Sequence, residues 1–148
     1  MTRGLGRDAS GTSDDDVAIG ASFSRSITIT DTHLVLGAGL IGDFNPHHVN
    51  DEYAKGSRFG TRILHGMITS ALMGAPVGMY FHGTAIAYLE HAVRFTAPVR
   101  AGDTLTSTWT VTDRHDKPHH GGRAVVLRGG KYLTTLDPER AFLAKGPQ

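Results

Sequence analysis

An aspartate, an asparagine and a histidine fall within one short segment, Gly42-Asp43-Phe44-Asn45-Pro46-His47-His48. Pro46 stiffens it, so a curl in the segment would bring Asp43 and His48 onto one small molecule. A carboxylate and an imidazole together can hold a water and move its protons: one accepts a proton while the other donates or accepts a second. The Asn45 amide could orient that water or a carbonyl. The same residue types also make ordinary turns. Gly-Asp and Asn-Pro are common turn dipeptides, and Asp and Asn side chains often bond their own backbone. Taken alone, the segment fits turn chemistry better than catalysis.

A second element is His65-Gly66-Met67. A glycine at a helix start lets a ligand oxygen approach the backbone amide, where the helix dipole adds positive potential. That is what a developing thioester enolate requires. Alone, a glycine demanded by packing explains Gly66 better, and His65 reads as a structural histidine with no catalytic role.

The elements around these residues follow from periodicity. Phe23, Ile27 and Ile29 share one parity against Ser24, Ser26, Thr28 and Thr30, with Arg25 breaking the apolar side, which predicts a half-buried strand. Asp31 is expected to cap a helix running to Leu40 and Ile41, ended by Gly42. Asn50 caps a short helical turn with Asp51 and Glu52 at its start and Gly56 at its stop. The longest helix is predicted over residues 66–80, with Met67, Ile68, Ala71, Leu72, Ala75 and Met79 as its stripe, buried on most sides and kinked or divided by Pro76. The rest reads as sheet: residues 84–98, then 105–112 with Leu105, Ser107, Trp109 and Val111 on one side. A polar loop holding His115, His119 and His120 follows. A strand or hairpin over 123–136 is expected to break at Gly129-Gly130, and residues 141–144 form a last short strand. This is an α+β pattern, with one long helix against an antiparallel sheet.

The chain has 148 residues, which fits one domain, and a domain of this size buries roughly 70% of its unfolded surface. Residues 1–20 read as a disordered leader, and the charge run Asp14-Asp15-Asp16 as a solvated cluster; residues 21–148 form the single domain. A net charge of +1 gives no sign of a nucleic-acid or membrane-surface partner. No apolar run is long enough to span a bilayer, and no signal peptide is evident. Cysteine is absent, which removes disulfides, thiolate metal sites and cysteine nucleophiles and fits a cytoplasmic location. Glycine, at 19 residues, and histidine, at 9, are frequent, but only position gives them meaning.

The two chemical segments, at their spacing, resemble the MaoC-like family of (R)-specific enoyl-CoA hydratases and dehydratases. That family shows Gly-Asp-x-Asn-Pro-x-His, then His-Gly-Met. Here these are residues 42–48 and His65-Gly66-Met67, with His65 following His48 at the family's spacing. The run Phe95-Thr96-Ala97-Pro98-Val99-Arg100-Ala101-Gly102-Asp103-Thr104-Leu105 resembles a third family stretch. Three ordered motifs are far more specific than one. The resemblance covers residues 23–111. It implies a hot-dog fold, a long helix wrapped by an antiparallel sheet, forming a homodimer or higher homo-oligomer. It implies reversible addition of water to an enoyl thioester, of coenzyme A or an acyl carrier. Asp43 and His48 would activate the water, Asn45 would assist, and the Gly66 amide would face the thioester oxygen. His65, Ser70 and Gly74 are expected on the substrate-binding side, and no metal or separate cofactor is expected. The pocket is expected near Asp43, His48 and Gly66, with Ala71, Gly74 and Ala75 leaving room for an acyl chain and a partner subunit supplying part of the wall.

There are departures. Ile41 stands where many members carry Ser or Thr, and His47 replaces an aliphatic residue. Gly74 lies where some members have a serine, with Ser70 a substitute one turn earlier. The residues from Asp137 onward lack the family's usual ending. Three other readings compete. A hot-dog acyl-CoA thioesterase commonly places Asp or Glu on the long helix, and none lies between Met67 and Tyr80. A non-catalytic acyl-thioester-binding module has no need of Asp43, Asn45 and His48 together. A metal site from His115, His119 and His120 lacks a further ligand at fixed spacing.

Overall fold

A computed structural model describes residues 17–85, 87–117 and 122–134 of the chain. Residues 1–16, His119, His120 and the strand expected over 141–144 lie outside these. The element order is β1 (Ser22–Thr28), α1 (Asp31–Ile41), α2 (Pro46–Val49), α3 (Asp51–Lys55), α4 (Gly66–Tyr80), β2 (Thr104–Lys117) and β3 (Gly122–Thr134). The three strands form one antiparallel sheet in the order β1-β2-β3.

The period-2 pattern sets which face of the sheet is buried. Leu105, Ser107, Trp109 and Val111 of β2 are all buried, as expected. The opposite face carries cross-strand hydroxyl pairs, with Ser22, Ser26 and Thr28 bonded to Thr110, Thr106 and Thr104 at 2.8, 2.7 and 2.9 Å. α4 packs on the buried face. The Trp109 indole N–H donates to the Met73 carbonyl at 2.8 Å. One core cluster joins Met73, Val77 and Phe81 to Trp109 and Val111; a second joins Ile29, Leu34, Leu64, Val99 and Leu105. Each such side chain, fully buried, contributes about 1.5–3 kcal/mol. Val17 belongs to the first cluster at 2% exposure, so packing begins inside the stretch read as a leader to Gly20.

Several expectations are corrected. Thr30, not Asp31, is the N-cap of α1, and His33 Nδ1 accepts the Thr30 N–H at 3.0 Å. α4 runs undivided through Pro76. Its burial is one-sided: Thr69, Ser70, Met73, Pro76 and Val77 are buried, while Met67, Ala71, Ala75 and Met79 are exposed. Residues 87–98 form no strand, and Tyr88, Leu89 and Phe95 are exposed there. Their alternation is real, but no strand among the described residues pairs with them, and without a ladder alternation alone does not make sheet. His115 lies in β2 rather than a loop, opposite Ala124 and 3.3 Å from Asp113.

β3 does not break at its glycines. Gly129 pairs with Trp109 across the sheet, and the indole ring lies over it. An ideal Cβ on Gly129 would sit 2.8 Å from Trp109 Cζ3. The ring cannot move aside, because its N–H is held by Met73. Gly129→Ala should therefore cost about 1–3 kcal/mol, as overpacking of a filled core does. A denaturant midpoint equal to that of the parent would contradict this account of the glycine.

Candidate active site

Gly42 ends α1 in the left-handed region at φ 73°, which turns the chain out of the helix and starts the polar segment. Asp43 Oδ1 then accepts the Asn45 N–H at 3.1 Å, and Asn45 Oδ1 accepts the His47 N–H at 3.1 Å. Both are the turn bonds that the residue types allow. Asn45 is the N-cap of α2, with its oxygen committed to that cap, so any help to a ligand must come from its NH₂. Turn chemistry and a site are thus built from the same residues.

α2 carries His48 back toward Asp43. His48 Nδ1 lies 2.7 Å from the Ile63 carbonyl oxygen. A carbonyl only accepts, so Nδ1 bears the proton and the neutral ring presents a bare Nε2. That Nε2 lies 3.8 Å from Asp43 Oδ2. The gap is too long for a direct hydrogen bond and suits a third atom. A water about 2.8 Å from both acceptors would see them roughly 85° apart, near its own bond angle. It would aim one O–H at each and keep a lone pair free to attack.

His65 stands behind this pair. It is 1% exposed, its Nε2–H donates to the Asp43 carbonyl at 2.8 Å, and its ring stacks on His48 with centroids 3.8 Å apart. Expected on the substrate-binding side, it is buried here, with its polar contact made to the Asp43 backbone. It holds the Asp43 backbone and seats the His48 ring. Its Nδ1 is buried and has no partner among the described residues.

Gly66 is the first residue of α4, and a first-turn amide has no acceptor within its own helix. Ser70 is buried on the packed face of the helix. A Cβ on Gly74 would be 3.7 Å from the Tyr88 hydroxyl, so the space beside Gly74 is bounded by that side chain. An open apolar groove of about 540 Å³ runs elsewhere, along Val35, Leu36 and Leu40 of α1 and Ile68 of α4. Asp43, His48 and Gly66 do not line this groove.

Asp43, His48 and His65 each offer an atom within 4.8 Å of the others, a spacing that a divalent cation could bridge. The fit is poor. His65 Nε2 already spends its proton on the Asp43 carbonyl, and the other ring nitrogen is buried. Coordination would break the bond that fixes Asp43.

Two contributors carried no obvious mark in the sequence. One is the Ile63 carbonyl, since a backbone acceptor leaves no residue signature. The other is Arg62, bonded to Asp31 and Asp51, whose hydrogen bond to Asp51 pushes the guanidinium above its usual value.

A carboxylate and an imidazole spaced for one water, together with the first amide of α4, are groups of the kind that adding or removing water calls for. Comparison with known proteins agrees with that class. Residues 16–128 match the family model described as MaoC like domain, and the chain belongs to that family. It is 43% identical over 98 residues to the (R)-specific enoyl-CoA hydratase of Rhodospirillum rubrum, covering 66% of this chain and 68% of that protein. It is 35% identical over 89 residues to the 3-hydroxybutyryl-CoA dehydratase of Methylorubrum extorquens, covering 60% and 57%. The chain therefore matches little more than half to two thirds of these relatives' lengths. Among solved structures, an unliganded R-hydratase from Pseudomonas aeruginosa aligns with TM-score 0.69 and 28% identity, over 80% of this chain and 74% of that one. An (R)-hydratase from A. caviae aligns with TM-score 0.69 and 28% identity, over 79% and 86%. The fold is the hot-dog fold of these neighbours, with α4 packed against the antiparallel sheet.

Proposed function

We propose that this chain is a hydratase/dehydratase that adds water across an enoyl thioester, or removes it from the 3-hydroxyacyl thioester, with coenzyme A as the carrier. The observation that carries the reading is the 3.8 Å gap between Asp43 Oδ2 and His48 Nε2, with His48 Nδ1 locked on Ile63. In hydration, one member of the pair takes a proton from the water as its oxygen attacks the β-carbon. Electron density moves through the α-carbon onto the thioester oxygen, where the Gly66 N–H meets it. The α-carbon then takes a proton from the protonated member, and the pair returns to its starting state. No electron is gained or lost overall, so the step needs no redox group, and the Asp–His pair supplies the acid and base that a metal-bound water would otherwise provide.

α4, bounded at Gly66 and Tyr80, carries no carboxylate, which leaves a thioesterase without the acidic group commonly placed there. Among the described residues no helix is long and apolar enough to cross a membrane. The working location is the cytoplasm, in keeping with a chain without cysteine.

The working unit is a homodimer. Exposed Met67 and Met79 on α4 and exposed Tyr88 and Leu89 beside it support this, since a bare apolar face of this kind marks an interaction site. Light scattering at micromolar concentration should give twice the chain mass; a monomer would count against the dimer. The activity itself is tested by a panel of enoyl thioesters of different chain length, on coenzyme A and on carrier protein. Loss of the conjugated absorbance is expected with the coenzyme A series, and no loss with any member would remove the proposal.

A further inference from the structure

Arg62 donates from Nε to Asp51 Oδ1 at 2.6 Å and from Nη2 to Asp31 Oδ1 at 2.8 Å. Asp31 is the first residue of α1, and Asp51 the first of α3. One planar cation thus ties the starts of two helices to the chain just before Ile63. The arginine side chain is 15% exposed, while the two carboxylates are 71% and 64% exposed. Pairs to carboxylates this open contribute little to global stability, so the bridge needs another explanation.

The residues just after Arg62 supply one. Ile63 N–H donates to the His47 carbonyl at 3.1 Å, and the Ile63 carbonyl accepts the His48 Nδ1–H at 2.7 Å. Leu64 N–H donates to the Val99 carbonyl at 2.7 Å, His65 holds Asp43, and Gly66 opens α4. Residues 62–66 thus join both halves of the site, in sequence order.

We infer that Arg62 is a positioning residue for hydration: its double bridge to Asp31 and Asp51 fixes the backbone at Ile63, and the Ile63 carbonyl in turn fixes the tautomer and tilt of His48. The inference rests on the hydratase reading of the site. An imidazole without this carbonyl is free to carry its proton on either nitrogen. With the proton on Nε2 it would aim a donor, not an acceptor, at the water between itself and Asp43. The charged and titratable groups that face His48 are Asp43 and the stacked His65 ring. Arg62 bonds to neither, so its influence runs through the backbone. A lysine would reach one carboxylate at a time, because only the guanidinium presents a fork.

The test uses the full chain with Arg62→Met, Arg62→Lys and the double variant Asp31→Ala/Asp51→Ala, which removes both acceptor oxygens. For Arg62→Met, kcat should fall about tenfold or more, since a misplacement near 1 Å costs on the order of 10²-fold. KM should stay within about twofold, because substrate contacts are untouched. Nitrogen-15 signals of His48 should move from the Nδ1–H tautomer toward a mixture. Arg62→Lys should recover part of both losses, and the double variant should change both in the same direction as Arg62→Met. If Arg62→Met does not fold, the double variant decides. A folded variant that lacks the bridge yet keeps His48 in its parent tautomer overturns the inference. If the parent protein hydrates no enoyl thioester, the hydratase reading fails, and the tautomer measurement alone decides whether the bridge acts on His48.

Discussion

Asp43→Asn and His48→Gln should each remove most of the turnover, roughly 10²–10⁴-fold, the usual contribution of a positioned acid–base group. The double variant should be little slower than either single one. The reason is geometric: the two acceptors stand 3.8 Å apart, the spacing for one shared water, so on this account losing either acceptor frees that water, and the second loss has nothing left to remove. The fold should tolerate both changes. Asp43 lies near the surface, and an asparagine can still accept the Asn45 N–H through its carbonyl oxygen. A glutamine at position 48 can still donate to the Ile63 carbonyl. Melting temperatures should stay close to the parent value while kcat collapses. Additive losses in the double variant would mean that the two groups act on different steps.

Gly66→Val should raise KM and lower kcat together, with Gly66→Ala milder in both. The Gly66 amide sits at the positive end of α4 with no acceptor inside the helix, which suits a thioester oxygen gaining charge. Losing one such donor typically costs roughly 10²–10³-fold in kcat. A side chain here also meets Phe95, whose Cε2 would be 3.2 Å from an alanine Cβ. Phe95 is exposed, so its ring can swing away from a methyl, and alanine should be tolerated in the fold. Valine adds branches that stand where the thioester must approach. Steady-state kinetics on both variants check this; parent-like kcat and KM in a folded Gly66→Val protein would move the oxyanion donor elsewhere.

Much of this was legible in the sequence because the deciding interactions are local. The Asn50 cap, the stop at Gly42, the span of α4 and the alternation of β2 each follow from residues a few positions apart. The Asp43–His48 pair was legible for the same reason, since one short turn brings the two together. The features that were not legible depend on distant parts of the chain. The residues alone make His65 a structural histidine, but its partner, the Asp43 carbonyl, lies far earlier in the chain and shows only in the fold. Gly129 reads as a strand break until Trp109 is found over it. Residues 87–98 carry a good strand pattern, yet a strand exists only where a partner offers its ladder. The Ile63 carbonyl could not have been found at all, because its identity as a site residue does not depend on its side chain.

The central claim is that Asp43 and His48 hydrate an enoyl thioester through one shared water. The most direct test places the parent protein and Asp43→Asn side by side with one short trans-2-enoyl-CoA, follows the conjugated absorbance, and resolves the product by chiral chromatography. The account predicts rapid loss of absorbance to the (R)-3-hydroxyacyl-CoA with the parent and almost none with the variant. Equal conversion by both proteins, or none by the parent, would contradict it.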